Sequence, residues 1–263
     1  MTTLTALCTV VAVGVLLVIL GYIAMQGFSA LNLSFLLNDP RPAGEGGGIR
    51  NAIVGSLMLL LLSSLIGLPL GVGVGIYLSE FGSGRFGSAV RFLVDTLTGI
   101  PSIVTGVFVY TIVVVPLQHF SALAGGVALA LIMIPIVART TEEMIRLVPH
   151  SLREGALALG APQWRVTLGV VVPAAASGIA TGAMLSIARI SGETAPLLFT
   201  AFGSRFLSYN LDQPIASLTV QIYNYAISPS DEWHAQAWAA TLVLMTLILS
   251  INIVVRFLTR KRF

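Results

Sequence analysis

The stretch Leu4-Thr-Ala-Leu-Cys-Thr-Val-Val-Ala-Val-Gly-Val-Leu-Leu-Val-Ile-Leu-Gly-Tyr-Ile-Ala-Met25 runs for 22 residues without a charge. A hydrocarbon core about 30 Å thick is crossed by roughly 20 apolar residues in a helix, so this run reads as a membrane span. No Lys or Arg precedes it, as the basic start of a cleavable signal requires, and it is expected to be retained as helix one. The rest of the chain has the same character. Of 263 residues, 56% are hydrophobic and 10% charged, with a mean hydropathy of +0.93, against roughly 25% charged in soluble domains. A soluble enzyme is excluded. The continuous Leu, Val and Ala runs also exclude a membrane β-barrel, whose strands alternate over roughly ten residues. The expected fold class is all-α, a polytopic membrane protein with six transmembrane helices, forming one domain over residues 1–263.

Outward from helix one, Phe28 to Arg50 is a loop rich in Pro and Gly, and helix two runs from about Asn51 to Leu78. Within it Gly67, Gly71 and Gly75 recur every four residues, the small-xxx-small face that lets membrane helices approach closely. Gly73 is expected to widen that face and Pro69 to kink the helix. Ser79 to Arg91 reads as a short polar connection. Helix three follows with a broken start at Gly99-Ile-Pro-Ser-Ile-Val104 and ends at Leu117; helix four spans about Ala122 to Ala138 after a tight turn at His119. The charged stretch Arg139 to Arg165 comes next, and helix five is placed from near Pro173 to beyond Glu193. After a polar loop, helix six covers about Ala235 to Val255.

Basic residues in short loops stay on the cytoplasmic side. With both termini inside, the inner segments hold Arg85, Arg91, Arg139, Arg146, Arg153, Arg165, Arg256, Arg260, Lys261 and Arg262, and the outer loops hold only Arg41, Arg50 and Arg205. The Arg139 to Arg165 stretch is thus expected to be cytoplasmic. Trp233, His234 and Trp238, at the start of helix six, read as interfacial anchors.

Several chemistries are set aside. The single Cys8 leaves no disulfide or thiolate cluster, and His119, His150 and His234 lack metal-ligand spacing; neither a metal nor a catalytic residue is expected. The only lysine is Lys261, so the phosphate-loop pattern Gly-x4-Gly-Lys-Ser/Thr is absent. By that motif the chain is not an enzyme and holds no ATP site of its own.

Two constellations remain. Ser151-Leu-Arg-Glu154 has the form of a capping box, and Gly160 with Pro162 is a stop signal, so a short helix should project from the charged loop with Ala156, Leu157 and Ala158 on its apolar face. Arg189 and Glu193 stand at i,i+4 inside an apolar run, where they can pair. An ionisable residue within the bilayer marks a transport path by default; Arg189 suits a bidentate anion contact, and Gly192 and Pro196 are placed to break the helix there. A structural salt bridge is the competing reading of the pair, and a well-capped loop that of the short helix.

Glu154-Gly-Ala156, then Gly160, then nine residues to Val170-Val-Val-Pro173, resembles the EAA loop (EAA-x3-G-x9-I-x-L-P) of ATP-binding-cassette importer permeases, with Gly155 where the pattern has Ala. Ser191-Gly-Glu-Thr-Ala-Pro-Leu-Leu-Phe-Thr-Ala201, Gly99-Ile-Pro-Ser-Ile-Val104 and Gly46-Gly-Gly-Ile-Arg-Asn-Ala-Ile-Val-Gly55 are similar to the PstA family of permease chains from bacterial high-affinity phosphate importers. The resemblance implies a type I, MetI-like architecture in the bacterial inner membrane. It implies partnership with a sister permease PstC, two copies of the ATPase PstB, which use ATP and Mg, and the periplasmic phosphate receptor PstS. It assigns coupling to Ser151, Glu154, Ala156 and Gly160 in the loop at about 139–169. It also assigns the phosphate path to Arg189, Ser191, Glu193 and Thr194. Alternatives are a permease of the same architecture for sulfate or molybdate, and a secondary transporter driven by an ion gradient; the latter predicts inverted repeats, which the sequence does not show.

Overall fold

A computed structural model describes residues 2–260; Lys261 and Arg262, counted above for orientation, lie outside the described residues. Eleven helices are described: α1 (Thr2–Ala30), α2 (Leu33–Leu37), α3 (Arg50–Glu80), α4 (Arg85–Gly99) and α5 (Ser102–Leu117). They are followed by α6 (Ala122–Arg146), α7 (His150–Ala158), α8 (Gln163–Ser191), α9 (Ala195–Thr200), α10 (Leu218–Ala226) and α11 (Asp231–Arg260). Five of these are long and apolar enough to cross a membrane, α1, α3, α6, α8 and α11, and the bent pair α4 and α5 makes a sixth. Apart from one isolated bridge between Pro40 and Gly47, the described residues form no β-structure.

The centre of the molecule is the α3 and α6 pair. A Cβ placed on Gly67, Gly71 or Gly75 would stand 2.5–2.8 Å from Met133, Val137 and Thr141 respectively, too close for any side chain. Lipid tails are as apolar as Leu, so close contact between backbones is what holds membrane helices together. Gly73, in contrast, has nothing within 4 Å and does not belong to that face. The helix continues through Pro69 without a break. Leu59, Leu60, Leu129, Met133, Val137, Ile190 and Leu197 form the core where α8 and α9 pack onto this pair.

The bend between α4 and α5 is 106°. Its cause is local: Pro101 steers Ile100 out of the helical region, and both residues are extended (ψ 130° and 135°). The connection from Ser79 is shorter than the sequence suggests, because helix resumes at Arg85. Arg91 on α4 donates to Glu142 (2.9 Å) and to the Leu78 carbonyl (3.1 Å). Those partners, far away in sequence, are what order this polar segment. For the same reason α6 runs on to Arg146, well beyond Ala138. Glu142, 1% exposed, is bridged by Arg91 (2.8 Å), Arg146 (2.6 Å) and Arg139 (3.5 Å).

Two π turns, Tyr110–Val114 and Thr167–Val171, each end two residues before a proline, in Val113-Val-Val-Pro116 and Val170-Val-Val-Pro173. Proline lacks an N–H, and its ring collides with the carbonyl four residues back. A π turn shifts that carbonyl and leaves it without the demand for the missing donor. Helix five therefore starts at Gln163, ten residues before Pro173, and not near the proline as the sequence suggests. It also ends at Ser191, ahead of Glu193.

Candidate transport path and coupling surface

Helix α8 stops at Ser191, and Gly192, Glu193 and Thr194 form the break before α9, with Pro196 in the first turn of the new helix. The expected interruption is present, so Arg189 sits in the last turn of α8 and Glu193 in the gap. The two side chains are nonetheless ion-paired. Glu193 is held from behind, since its carbonyl accepts a 2.9 Å bond from the Thr219 hydroxyl at the start of α10. The pair is asymmetric in exposure: the Glu193 side chain is 6% exposed and that of Arg189 58%.

The exposed face of Arg189 belongs to a cavity of about 350 Å³. Ile132 and Ile136, from the middle of the 25-residue α6, line it. The opposite wall is the bend between α4 and α5, contributing Thr98, Ile100, Ser102 and Thr105. Arg189 is the only charged residue in the lining. Thr98 donates to the Val94 carbonyl (2.9 Å), whereas the Ser102 and Thr105 hydroxyls carry no internal hydrogen bond among the described residues and remain available. One fixed guanidinium and two free hydroxyls in an apolar shell can replace part of the hydration of a small anion. Sequence reasoning noted Gly99-Ile-Pro-Ser and Arg189 as separate motifs, and missed Thr105 altogether; their meeting depends on the 106° bend.

Ser191 and Thr194 do not join this cavity. The Ser191 hydroxyl bonds back to the Ile187 carbonyl (2.6 Å), the usual fate of serine inside a helix, and Thr194 occupies the cap position of α9.

At the opposite end of the bundle, α7 has the predicted stop but a different start. Gly160 takes φ +82°, a left-handed conformation that only glycine adopts freely, and closes the helix. At the other end the cap is Pro149 and no side chain bonds the free amides, so Ser151 makes no capping box. Proline fixes its φ near the helical value where an N–H is not needed, which sets the first turn two residues earlier. Ala156 packs on Ile145, Val148, Val166, Val171 and Ala175. Glu154 is exposed and has no ion pair among the described residues. In and around α7, Leu147, Leu152, Leu157, Leu159 and Trp164 are exposed, Leu159 to 90%. Arg153 clamps the helix from below: it donates to Glu80 at the end of α3 (2.9 Å) and to the Ile145 carbonyl at the end of α6 (2.8 Å).

The profile of the family described as "Binding-protein-dependent transport system inner membrane component" matches residues 67–263. The phosphate transport system permease protein PstA of Yersinia pestis is 49% identical over 239 residues, covering 90% of this chain and 81% of that protein. PstA of Haemophilus influenzae is 48% identical, with 88% and 82% covered. Among solved structures, an inward-facing conformation of the MetNI methionine ABC transporter superposes with a TM-score of 0.62 at 20% identity, covering 81% of this chain and 94% of that one. The chain is thus a membrane-embedded transport component, and it belongs to the family of binding-protein-dependent transport system inner membrane components.

Proposed function

We propose that this chain is the PstA-type permease of an ATP-driven phosphate importer in the bacterial inner membrane, a single domain with both termini cytoplasmic. It forms half of the phosphate path beside a PstC-type sister permease. One of two copies of a PstB-type ATPase docks on α7, the pair hydrolyses ATP with Mg, and a periplasmic receptor of the PstS type delivers phosphate. The observation that carries the reading is Arg189, the single charge lining an apolar cavity between α4, α5, α6 and α8, held by a buried Glu193.

Arg189 makes the anion contact, and Ser102 and Thr105 supply donors from the facing wall. Glu193 keeps the guanidinium in place and offsets its charge, so that the anion is held and released instead of trapped. Glu154 and the exposed leucines of α7 engage the ATPase, and Gly160 stops the helix so that it moves as one rigid piece. ATP-driven closure of the ATPases then shifts the permease between outward and inward openings.

The test is uptake of labelled phosphate by proteoliposomes holding the complete importer, with excess sulfate as competitor. ATP-dependent, sulfate-resistant uptake that is lost in Arg189→Gln, with assembly intact, is expected. Uptake that persists in Arg189→Gln, or runs on an ion gradient without ATP, overturns the reading. Sulfate-sensitive uptake transfers it to another oxyanion.

A further inference from the structure

A second cavity, of about 380 Å³, opens at the end of the bundle opposite α7. Its wall combines Arg41 from the loop after α2, Arg205 from the loop after α9, Gln221, Asn224 and Tyr225 of α10, and Trp233 at the start of α11. No carboxylate lines it. Of the nearby acids, Asp39 pairs with Arg50 at 2.8 Å, and Glu232 accepts from the Gly44 N–H and the Gln236 amide. Arg41 and Arg205 are exposed and have no ion-pair partner among the described residues.

An independent feature points the same way. Tyr225 is 4% exposed and stacks on Trp233 with ring centroids 5.0 Å apart. Neither its hydroxyl nor the Trp233 indole N–H has a hydrogen-bond partner, although native proteins pair such groups almost without exception. Burial raises the Tyr225 phenol above its ordinary value, the Gln221 amide and the Arg205 charge act in the opposite sense, and the Glu232 charge adds a smaller upward push. The amide comes near without completing hydrogen-bonding geometry, and the guanidinium lies within electrostatic reach of the ring. The wall therefore offers two cations without an ion-pair partner and two neutral donors, a set suited to a tetrahedral oxyanion.

We propose that this outer cavity is an anion-holding site that takes up inorganic phosphate before it reaches Arg189. The proposal rests on the transport reading above. Helix α9, six residues and roughly 9 Å long, leads from the break beside Arg189 to Leu198 in the cavity wall, so the two sites are neighbours along one path.

The test is equilibrium binding of labelled inorganic phosphate to the receptor-free complex in neutral-lipid nanodiscs. An Arg189→Gln background removes the inner contact. Saturable binding is expected there. It should weaken by roughly tenfold or more in Arg41→Gln/Arg205→Gln, weaken less in Tyr225→Phe, and recover in part with lysine at both arginine positions. Gel-filtration elution as an intact complex confirms that each variant assembles. Absence of saturable binding in the background, or equal binding by the double variant, overturns the proposal. So does displacement of phosphate by phosphatidylglycerol in the disc, which assigns the cavity to a lipid headgroup. Weaker capture of the loaded receptor with phosphate binding unchanged assigns the arginines to protein docking and overturns it as well. Uptake without ATP, in contrast, strikes the transport reading and leaves this measurement untouched.

Discussion

The clamp formed by Arg153 allows a sharp test of how α7 is held. In Arg153→Met, Glu80 stays 8% exposed and loses its cation, while the Ile145 and Val148 carbonyls lose a donor. Removing one partner of a buried ion pair costs roughly 3–5 kcal/mol. Arg153 itself is 15% exposed, so the lower end applies, about 3 kcal/mol. That free energy corresponds to roughly a hundredfold change in the equilibrium between seated and detached α7. Hydrogen exchange of the purified chain reads that equilibrium directly, because local opening sets the rate. Amides of residues 153–158 should exchange roughly a hundred times faster in Arg153→Met, whereas those of the α3 and α6 core should hardly change. In the double variant Glu80→Leu/Arg153→Met no charge is stranded, and an apolar pair in place of a buried ion pair is often neutral; most of the protection should return. Unchanged α7 exchange in the single variant, or a double variant no better than the single, would refute the clamp.

Other substitutions separate features that look alike in sequence. Gly71→Leu should prevent α3 from closing on Val137 and cost well over 1–3 kcal/mol by overpacking, while Gly73→Ala, in open space, should be neutral or stabilising by up to about 1 kcal/mol; thermal unfolding in detergent distinguishes them. Glu142→Gln leaves Arg91, Arg139 and Arg146 facing one another without their shared anion, and should destabilise the inner end by roughly 3 kcal/mol, seen as earlier proteolysis of the connection between α3 and α4. Glu193→Gln should keep phosphate binding and slow release, lowering the maximal uptake rate more than the half-saturating concentration; a lower apparent affinity at full rate would contradict its role as counter-charge.

What the sequence made legible followed the range of each interaction. The Gly67, Gly71 and Gly75 face and the Arg189 and Glu193 pair are local, set by a period of four, and both are present as read. Gly160 likewise declared its own backbone requirement. Ser151 misled because its pattern is short and Pro149 had already started the helix. Pro173 misled because a π turn lets a helix continue past proline, and nothing in Thr167–Val171 announces that turn. The Arg153 bond to Glu80 and the facing of Ser102 and Thr105 toward Arg189 join segments 70 or more residues apart in sequence. Each polar partner lay in another helix, so only the fold could pair them.

The π turn before Pro173 also fixes an azimuth. Successive residues of an α-helix are rotated by about 100°, and the wide turn at Thr167–Val171 absorbs one residue more than a regular turn would. In Pro173→Ala, where the wide turn is no longer demanded, the same residues wound as a regular α-helix would swing everything downstream by about 100° around the axis. Arg189, eighteen residues beyond Val171, would then face away from the Ser102 and Thr105 wall, with its local sequence intact. The direction of the membrane charge is therefore set some 27 Å below it, by a phase shift in the backbone.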